Sequence, residues 1–501
     1  MGFGFLIDQR KCIGCHACTV ACKSENDVPL GKFRTWVKYT EKGRFPDVRR
    51  HFTVLRCNHC DEAPCVEICP VSALDKRPDA IVDLDRDICV GCRACMQACP
   101  YDAIHMNEDR GTCEKCHYCA HRTEVGLAPA CVVVCPEEAI VAGDVDDPSS
   151  TIHRLIHEND VEQRKVEKGT KPRVWYLDGL KDALVPGRAA EPEQWIWADR
   201  AQPSADLPSE FRPPEDLITT LDVDHAPVWG WQVWTYLVTK NLSAGAMMAA
   251  PFLALLGVET TGVARFLPEA VGLLFLGITL FLLVEDLGRP ERFWRLLLKP
   301  NTRSWLVKGA WILTAFGILA SASLVTGLLG MQGVQQGLRW ATLPAAVLAA
   351  GYSAWLFKQC RGRDLWCEPG LFWQLLIRAG FLGAGVAMLL PTLSGRLPIA
   401  PVVFIWLGVA TAVGIFYERM RLHRNPDAER AEAILRRNFS SHEGMSLVIL
   451  SAVIVQVADL FTDVGSLLRI GGFALGLALA LSGLWFYERA WIRAPQSVPN
   501  S

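Results

Sequence analysis

Residues 89–100 read CVGCRACMQACP: four cysteines at spacings x2, x2 and x3, with a proline behind the last. Three thiolates this close wrap one [4Fe–4S] cube, and the fourth, a turn further along, is carried toward a second cube. The grammar recurs in Cys12-x2-Cys15-x2-Cys18-x3-Cys22, in Cys57-x2-Cys60-x4-Cys65-x3-Cys69-Pro70, and in a last group running from Cys113 to Cys135-Pro136. Cross-ligation demands groups in pairs, so four groups predict four cubes of four thiolates each. Seventeen of the 19 cysteines precede residue 136, one more than four cubes take.

Two other uses of cysteine compete with this one. A zinc ribbon sets two CxxC pairs around one tetrahedral ion, but it has no need of triplets followed by a fourth cysteine and a proline. A disulfide framework belongs to an oxidising compartment. The chain opens MGFGFLIDQRKC, with neither a basic start and apolar core nor a twin arginine. The cysteine domain is therefore expected in the cytoplasm, with its thiols on metal.

The stretches FLIDQRKCIGCHACTVACKSEN, RCNHCDEAPCVEICPVSAL, DRDICVGCRACMQACPYDAI and KCHYCAHRTEVGLAPACVVVCPEEAI cover most of residues 3–175. This part resembles the four-cluster iron–sulfur subunit of the polysulfide reductase and dimethyl sulfoxide reductase type, a partner of molybdopterin enzymes. The resemblance implies an α+β bacterial-ferredoxin-like domain over 1–175. It also sets the register of the last group as Lys115-Cys116-x2-Cys119, then Cys131 and Cys135, which leaves Cys113 spare. The other register, starting at Cys113, lengthens the loop to Cys131 and strands Cys119. Carried over residue by residue, the family pairing assigns Cys12, Cys15, Cys18 and Cys135 to one cube and Cys22, Cys116, Cys119 and Cys131 to a second. Cys57, Cys60, Cys65 and Cys99 then hold a third, and Cys69, Cys89, Cys92 and Cys95 a fourth.

Beyond residue 150 the character of the chain changes. Residues 176–227 form a tether in which seven prolines fall among acidic and small residues between Pro186 and Pro227, too broken for a long helix or a central strand. Its Trp195 and Trp197 are expected to pack on the cysteine domain. From 228 to 501 come apolar runs at about 228–256, 266–284, 305–329, 340–357, 370–391, 399–417, 444–462 and 468–486, each of spanning length. They predict an all-α bundle of eight transmembrane helices. The gaps on the side of the cysteine domain hold sixteen Lys and Arg and the opposite gaps four, Arg265, Arg339, Arg396 and Arg469. By the positive-inside rule the iron–sulfur domain and both termini lie in the cytoplasm, beneath a multi-pass inner-membrane domain.

The segments HAPVWGWQVWTYLVTKNLSAGA, LVEDLGRPERFWRLLLKPNTRSWLVKGAWIL and WFYERAWIRAPQ make this half similar to the quinone-reactive membrane subunit of polysulfide reductase, the NrfD type. The resemblance implies that two subunits are fused here and that a quinone, menaquinone or ubiquinone, reacts near the cytoplasmic helix ends. Candidate contacts are Asp286 and Arg289, where the second helix returns to that face, and Tyr236, Lys240 and Asn241, deeper in the first helix, which offer hydrogen bonds and a proton route. Trp229, Trp231 and Trp234 suit an interfacial aromatic belt. Arg378 is expected to pair with Glu285 or Asp286 or to line a polar path, and Glu269 and Asp459 to extend a proton path or cap their helices.

The expected function is that of an electron-transfer and membrane-anchor subunit linking a cytoplasmic molybdopterin-type catalytic subunit to membrane quinone. Molybdopterin belongs to the partner alone. Sulfite or formate dehydrogenase chemistry fits a cytoplasmic site. The alternative is a subunit of a larger quinol-oxidising respiratory assembly, ion-translocating or not. A zinc-stabilised, non-redox membrane scaffold is the reading from another class, and nothing points to nucleic acid as a partner.

Overall fold

The computed structural model describes residues 2–189, 195–196, 216–255, 262–390, 399–420, 425–460 and 467–501. Its strands are β1 (Phe3–Asp8), β2 (Thr35–Arg44), β3 (Asp47–Arg56), β4 (Leu74–Lys76), β5 (Val82–Leu84) and β6 (Ile104–Asn107). They continue with β7 (Thr112–Lys115), β8 (Ile140–Asp144), β9 (Val161–Glu162), β10 (Val174–Leu177), β11 (Trp195–Ile196) and β12 (Leu217–Val223). The run FGFLID makes β1 a strand covered on both faces, with Phe5, Leu6 and Ile7 fully buried. It pairs antiparallel with β8 and parallel with β10, closing the start of the cysteine domain against its end. Short hairpins β4–β5 and β6–β7 follow the middle two cysteine groups.

The cysteines sit on and beside short helices: α1 (Ala17–Asn26), α2 (Pro64–Ile68), α3 (Ala94–Ala98), α4 (Ala120–Thr123) and α5 (Ala130–Val133). In the first, third and last groups the closely spaced cysteines lie on a loop that turns through the left-handed region, at Gly14 (φ +71°), Gly91 (φ +71°) and Tyr118 (φ +61°). A helix then carries the chain away from the turn. Two more helices, α6 (Thr151–Glu158) and α7 (Lys181–Leu184), complete this part.

The tether departs from expectation. LITTLDV forms β12, which pairs with β2 on one side and β11 on the other, so a central strand does exist within 176–227. It lies past most of the prolines, where β-branched residues and buried Leu217, Thr219, Asp222 and Val223 favour a sheet. Trp197 lies outside the described residues, as does Arg396.

The second half comprises α8 (Trp231–Leu255), α9 (Leu267–Glu285), α10 (Arg295–Leu298), α11 (Trp305–Leu328) and α12 (Gln332–Gln359). After these come α13 (Leu371–Met388), α14 (Ile399–Met420), α15 (Pro426–Arg437), α16 (Phe439–Asp459) and α17 (Leu467–Gln496). Seven are long and apolar enough to cross a membrane: α9, α11, α12, α13, α14, α16 and α17. The eighth expected span is α8, which is 25 residues long but carries Lys240 and Asn241 in its interior. It is packed against α9, α12, α13 and α17, so its polar side chains face protein. Large apolar side chains such as Phe281 on α9, Trp373 on α13 and Trp406 on α14 point outward and are mostly exposed, the surface a bilayer covers.

Several buried charges inside this bundle are paired. Arg378 hydrogen-bonds Glu488 at 2.7 Å and lies 3.6 Å from Glu418, so its partners come from α17 and α14, and the expected pairing with Glu285 or Asp286 does not form. Glu269, fully buried, accepts from Arg339 at 2.7 Å and from Ser323 at 2.9 Å. Asp459 accepts from Arg469 at 2.7 Å.

Candidate functional site

Four gatherings of thiols emerge from the cysteine domain. Cys12, Cys15, Cys18 and Cys135 surround one small cavity. Cys22, Cys116, Cys119 and Cys131 surround another. Cys57, Cys60, Cys65 and Cys99 lie within electrostatic reach of one another, as do Cys69, Cys89, Cys92 and Cys95. Burial and repulsion from Cys57 push the Cys60 and Cys99 thiols up to about 12. Buried thiolates therefore call for a compensating positive centre. Among the described residues no three His, Cys, Asp or Glu side chains converge tightly enough for a single metal ion.

The protein already directs donors at these sulfurs. Backbone N–H groups of Ala73, Gly91, Tyr118 and Ala139 reach the sulfurs of Cys69 (3.2 Å), Cys89 (3.4 Å), Cys116 (3.4 Å) and Cys135 (3.2 Å). Arg56, buried at the end of β3, donates to Cys131 at 3.4 Å, and Asn26 to Cys22 at 3.7 Å. A donor set of soft thiolates ringed by N–H groups fits iron–sulfur clusters, whose potentials depend on such hydrogen bonds.

The four groups form a row. The first two share α1, which carries Cys18 and Cys22, and α5 with the residues after it, which supply Cys131 and Cys135. The last two share α2 and α3 in the same manner. Cys116 and Cys57 bring the second group next to the third. At one end of the row Cys15 is exposed and Cys12 and Cys135 are half-buried. Ile13, Val20 and Val133, all more than half exposed, surround that end with apolar surface.

The other end meets the membrane half. The loop after α9, DLGRPERFW, lies against the loop of Cys89 and Cys92: Gly288 N–H donates to Gly91 O at 3.2 Å and Arg289 N–H to Val90 O at 3.1 Å. Arg292 donates to Cys89 O at 2.8 Å, and Arg93 pairs with Asp286 at 3.4 Å. Asn301 and Ser304 bind the carbonyls of Cys69 and Ile68 at 2.8 and 2.7 Å. A side chain at position 288 has no room, since a Cβ there would stand 2.4 Å from Gly111 O.

Directly beyond this seam a cavity of ≈ 280 Å³ opens among α8, α9, α11 and α12, and Cys92 lies in its wall. Tyr236 and Asp286 line it; of the other residues singled out from sequence, Lys240, Asn241 and Arg289 do not. Lys240 stands behind the wall, with Nζ donating to Ala350 O at 2.6 Å and Ser353 Oγ at 2.9 Å and lying 5.0 Å over the Tyr352 ring, which is itself in the wall. Asn241 is buried elsewhere in α8, its Oδ1 without a partner among the described residues. Arg289 belongs to the seam, where Nε donates to Arg110 O at 2.6 Å. The cavity also contains Gln232, Thr314 and Tyr352, which sequence reasoning passed over, and Trp229, assigned there to an aromatic belt. Burial pushes the Asp286 carboxyl up to about 6, against the pull of Arg93 and with Glu285 adding repulsion. A larger apolar groove of ≈ 610 Å³ between α14 and α16 is lined almost wholly by hydrocarbon and lies apart from the cysteines.

Comparison with known proteins agrees with both halves. A 4Fe-4S binding domain matches residues 3–24, a 4Fe-4S dicluster domain matches 48–145, and the family described as polysulphide reductase, NrfD matches 222–463. One relative, a tetrathionate reductase subunit of Salmonella typhimurium, is 46% identical over 201 residues, 39% of this chain and 80% of the relative. The iron-sulfur subunit of arsenate respiratory reductase from a Shewanella species is 37% identical over 233 residues, 36% of this chain and 100% of the relative. Another relative, a selenate reductase subunit of Mesobacillus selenatarsenatis, is 38% identical over 205 residues, 34% and 70% of the two chains. The protein is thus multi-pass in the membrane and has an iron–sulfur domain that binds 4Fe–4S clusters. It belongs to the iron–sulfur electron-transfer subunits of reductase complexes, of which that tetrathionate reductase relative is an example, with an NrfD-type membrane domain fused behind the iron–sulfur part.

Proposed function

We propose that this chain conducts electrons between a catalytic subunit docked over its exposed first cysteine group and a quinone held in the cavity beside Cys92. The observation that carries the reading is the position of Cys92, a member of the cysteine group at the membrane seam and at the same time part of the cavity wall. Four [4Fe–4S] clusters, one in each of the thiol groups assigned above, supply one-electron steps, which quinone couples to two-electron, two-proton chemistry.

The remaining work falls to the protein. Tyr236, Tyr352, Gln232 and Asp286 offer polar groups to a ring in an otherwise apolar cavity, a pattern suited to a carbonyl-bearing ring on an isoprenoid tail. Leu280, Phe293 and Leu297 line its outer side and are each more than two-fifths exposed, an exit for the tail into lipid. Asp286 can hand a proton to the ring or take one from it, and Lys240 with Ser353 fixes the polar wall behind it. In this reading α8 is the eighth span, the segments 1–175, 176–227 and 228–501 are the three functional parts, and the basic loops hold the iron–sulfur domain in the cytoplasm.

The partner is proposed to be a molybdenum or tungsten bis-pterin subunit. Relatives named as subunits of tetrathionate, arsenate and selenate reductases support an oxyanion-converting partner, and a cytoplasmic face supports sulfite or formate dehydrogenase chemistry. The test is metal analysis of the complex purified through a tag on this chain. About sixteen iron atoms per chain with one molybdenum or tungsten and a large co-purifying subunit is the expected result. Iron without molybdenum or tungsten assigns the chain instead to a larger quinol-oxidising assembly, and zinc in a colourless protein sinks the electron-transfer reading.

A further inference from the structure

Arg419, near the end of α14, is 6% exposed and has no carboxylate partner among the described residues. Arg339, Arg378 and Arg469, buried in the bundle like it, each reach a carboxylate at 2.7 Å. Arg419 instead donates through Nη2 to Arg436 O at 3.0 Å and through Nη1 to Met445 Sδ at 3.9 Å, and its Nε has no partner among the described residues. A thioether is a weak acceptor. Glu418, beside it in the chain, turns to Arg378 and Tyr487, and Glu432 pairs with Arg436. His442, exposed at the start of α16, has its Nε2 3.1 Å from Nη2 of Arg419.

Met445 also lines the apolar groove of ≈ 610 Å³ between α14 and α16, so this arginine stands at one end of it. The groove runs from Phe416 to Ile405 on α14 and from Met445 to Val457 on α16, about 17 Å at the helical rise. Phe416 and Met445 mark the end nearer the iron–sulfur part. There α15, which lies between the two helices in the chain, donates from Arg430 to Pro186 O at 3.0 Å and places Asp427 3.4 Å from Lys165. At the other end the groove stops more than a helical turn short of the limits of the apolar runs 399–417 and 444–462. Val413, Phe416 and Val453 along it are more than half exposed, so it opens sideways toward the bilayer.

These dimensions select the occupant. A partner helix that crosses the membrane needs about 30 Å of facing surface, whereas an acyl chain reaches from the headgroup level to the bilayer middle, about 15 Å. A groove of that depth, walled by hydrocarbon and headed by a cation, suits one chain of a lipid. A guanidinium takes phosphate oxygens through two parallel N–H bonds, and basic pockets between membrane helices bind anionic headgroups. We propose that the groove holds an acyl chain of an anionic phospholipid from the leaflet on the iron–sulfur side, with its phosphate bound at Arg419 and His442. The phosphate supplies the anion that Arg419 does not find in the protein. This site is separate from the cavity beside Cys92, which lies among α8, α9, α11 and α12.

The experiment is native mass spectrometry of the tagged complex, stripped of lipid in detergent and titrated with phosphatidylglycerol or with phosphatidylcholine. It compares the wild type with Arg419→Gln and with Ala412→Phe, a half-buried position in the groove wall where a ring takes the space of the chain. Iron content and elution volume report that the variants fold, and the wild-type comparison of the two lipids carries the test where a variant does not. The wild type is expected to bind one phosphatidylglycerol per chain in preference to phosphatidylcholine. Arg419→Gln weakens phosphatidylglycerol about fivefold and leaves phosphatidylcholine unchanged, and Ala412→Phe weakens both. Equal binding of the two lipids by the wild type, or wild-type binding of phosphatidylglycerol in either variant, overturns the proposal. A wild-type complex that binds neither lipid and dimerises, with Ala412→Phe restoring the monomer, gives the groove to a second copy of the chain and overturns it as well.

Discussion

Asp286 is the residue on which pH should act. Its carboxyl is held at about 6 by burial, so it is neutral below that pH and a carboxylate above it. As a base in quinol oxidation it becomes competent as the pH rises through 6, and the rate should climb there and level off. Asp286→Asn is expected to flatten that climb in a pH profile of quinol oxidation, with dithionite reduction of the clusters unchanged. Lys240→Leu removes the group behind Tyr352 and Ser353. It should slow quinone-linked turnover on the order of tenfold, less than the roughly hundredfold loss of a group that transfers the proton itself. Unaltered quinone kinetics in stopped-flow remove Lys240 from the site. At this scale the cysteine groups were legible in the sequence, because a thiol three residues from another is close in any fold. Asp286 was legible as a polar residue at a predicted helix end, and Tyr236 as a polar residue deeper in the first apolar run. Gln232, Thr314 and Tyr352 were not, since the side of a helix that lines a cavity is decided by its neighbours.

Two elements govern the seam. The loop Asp286–Trp294 docks through backbone N–H groups onto Val90 and Gly91, a contact that requires glycine on both sides. Gly288→Ala forces a methyl against Gly111 O, and overpacking of this kind costs about 1–3 kcal/mol. The expected outcome is slower reoxidation of the reduced clusters by quinone, followed by visible absorbance, with full iron content; wild-type reoxidation rates refute the docking role. DLGRPERFW stood out in the sequence as distinctive, but its use as a clasp did not, because its partner is far away along the chain. The strand β12 was hidden by the prolines before it. Nothing local to LITTLDV reveals that β2 has a free edge to receive it.

For the whole molecule, the arrangement is a row of thiol groups standing on a helical membrane domain, with the exposed group at the far end and the cavity at the near one. The proposed orientation predicts that cysteine-reactive, membrane-impermeant label added to intact spheroplasts leaves a cysteine placed at Asp109 untouched and modifies one at Gly333, near the turn between α11 and α12. Labelling of position 109 in intact spheroplasts reverses the topology. The sequence by itself determined the two-part plan, the cysteine grammar and the apolar spans, because each depends on spacing, period or length within one stretch of chain. Only the tertiary structure decided that Arg378 turns to Glu488, that Cys113 is buried opposite Met106 in the β6–β7 hairpin, and that Cys92 borders a cavity. Each of these depends on which faces of separate elements meet, and that is settled by the packing of whole elements, which no local pattern encodes.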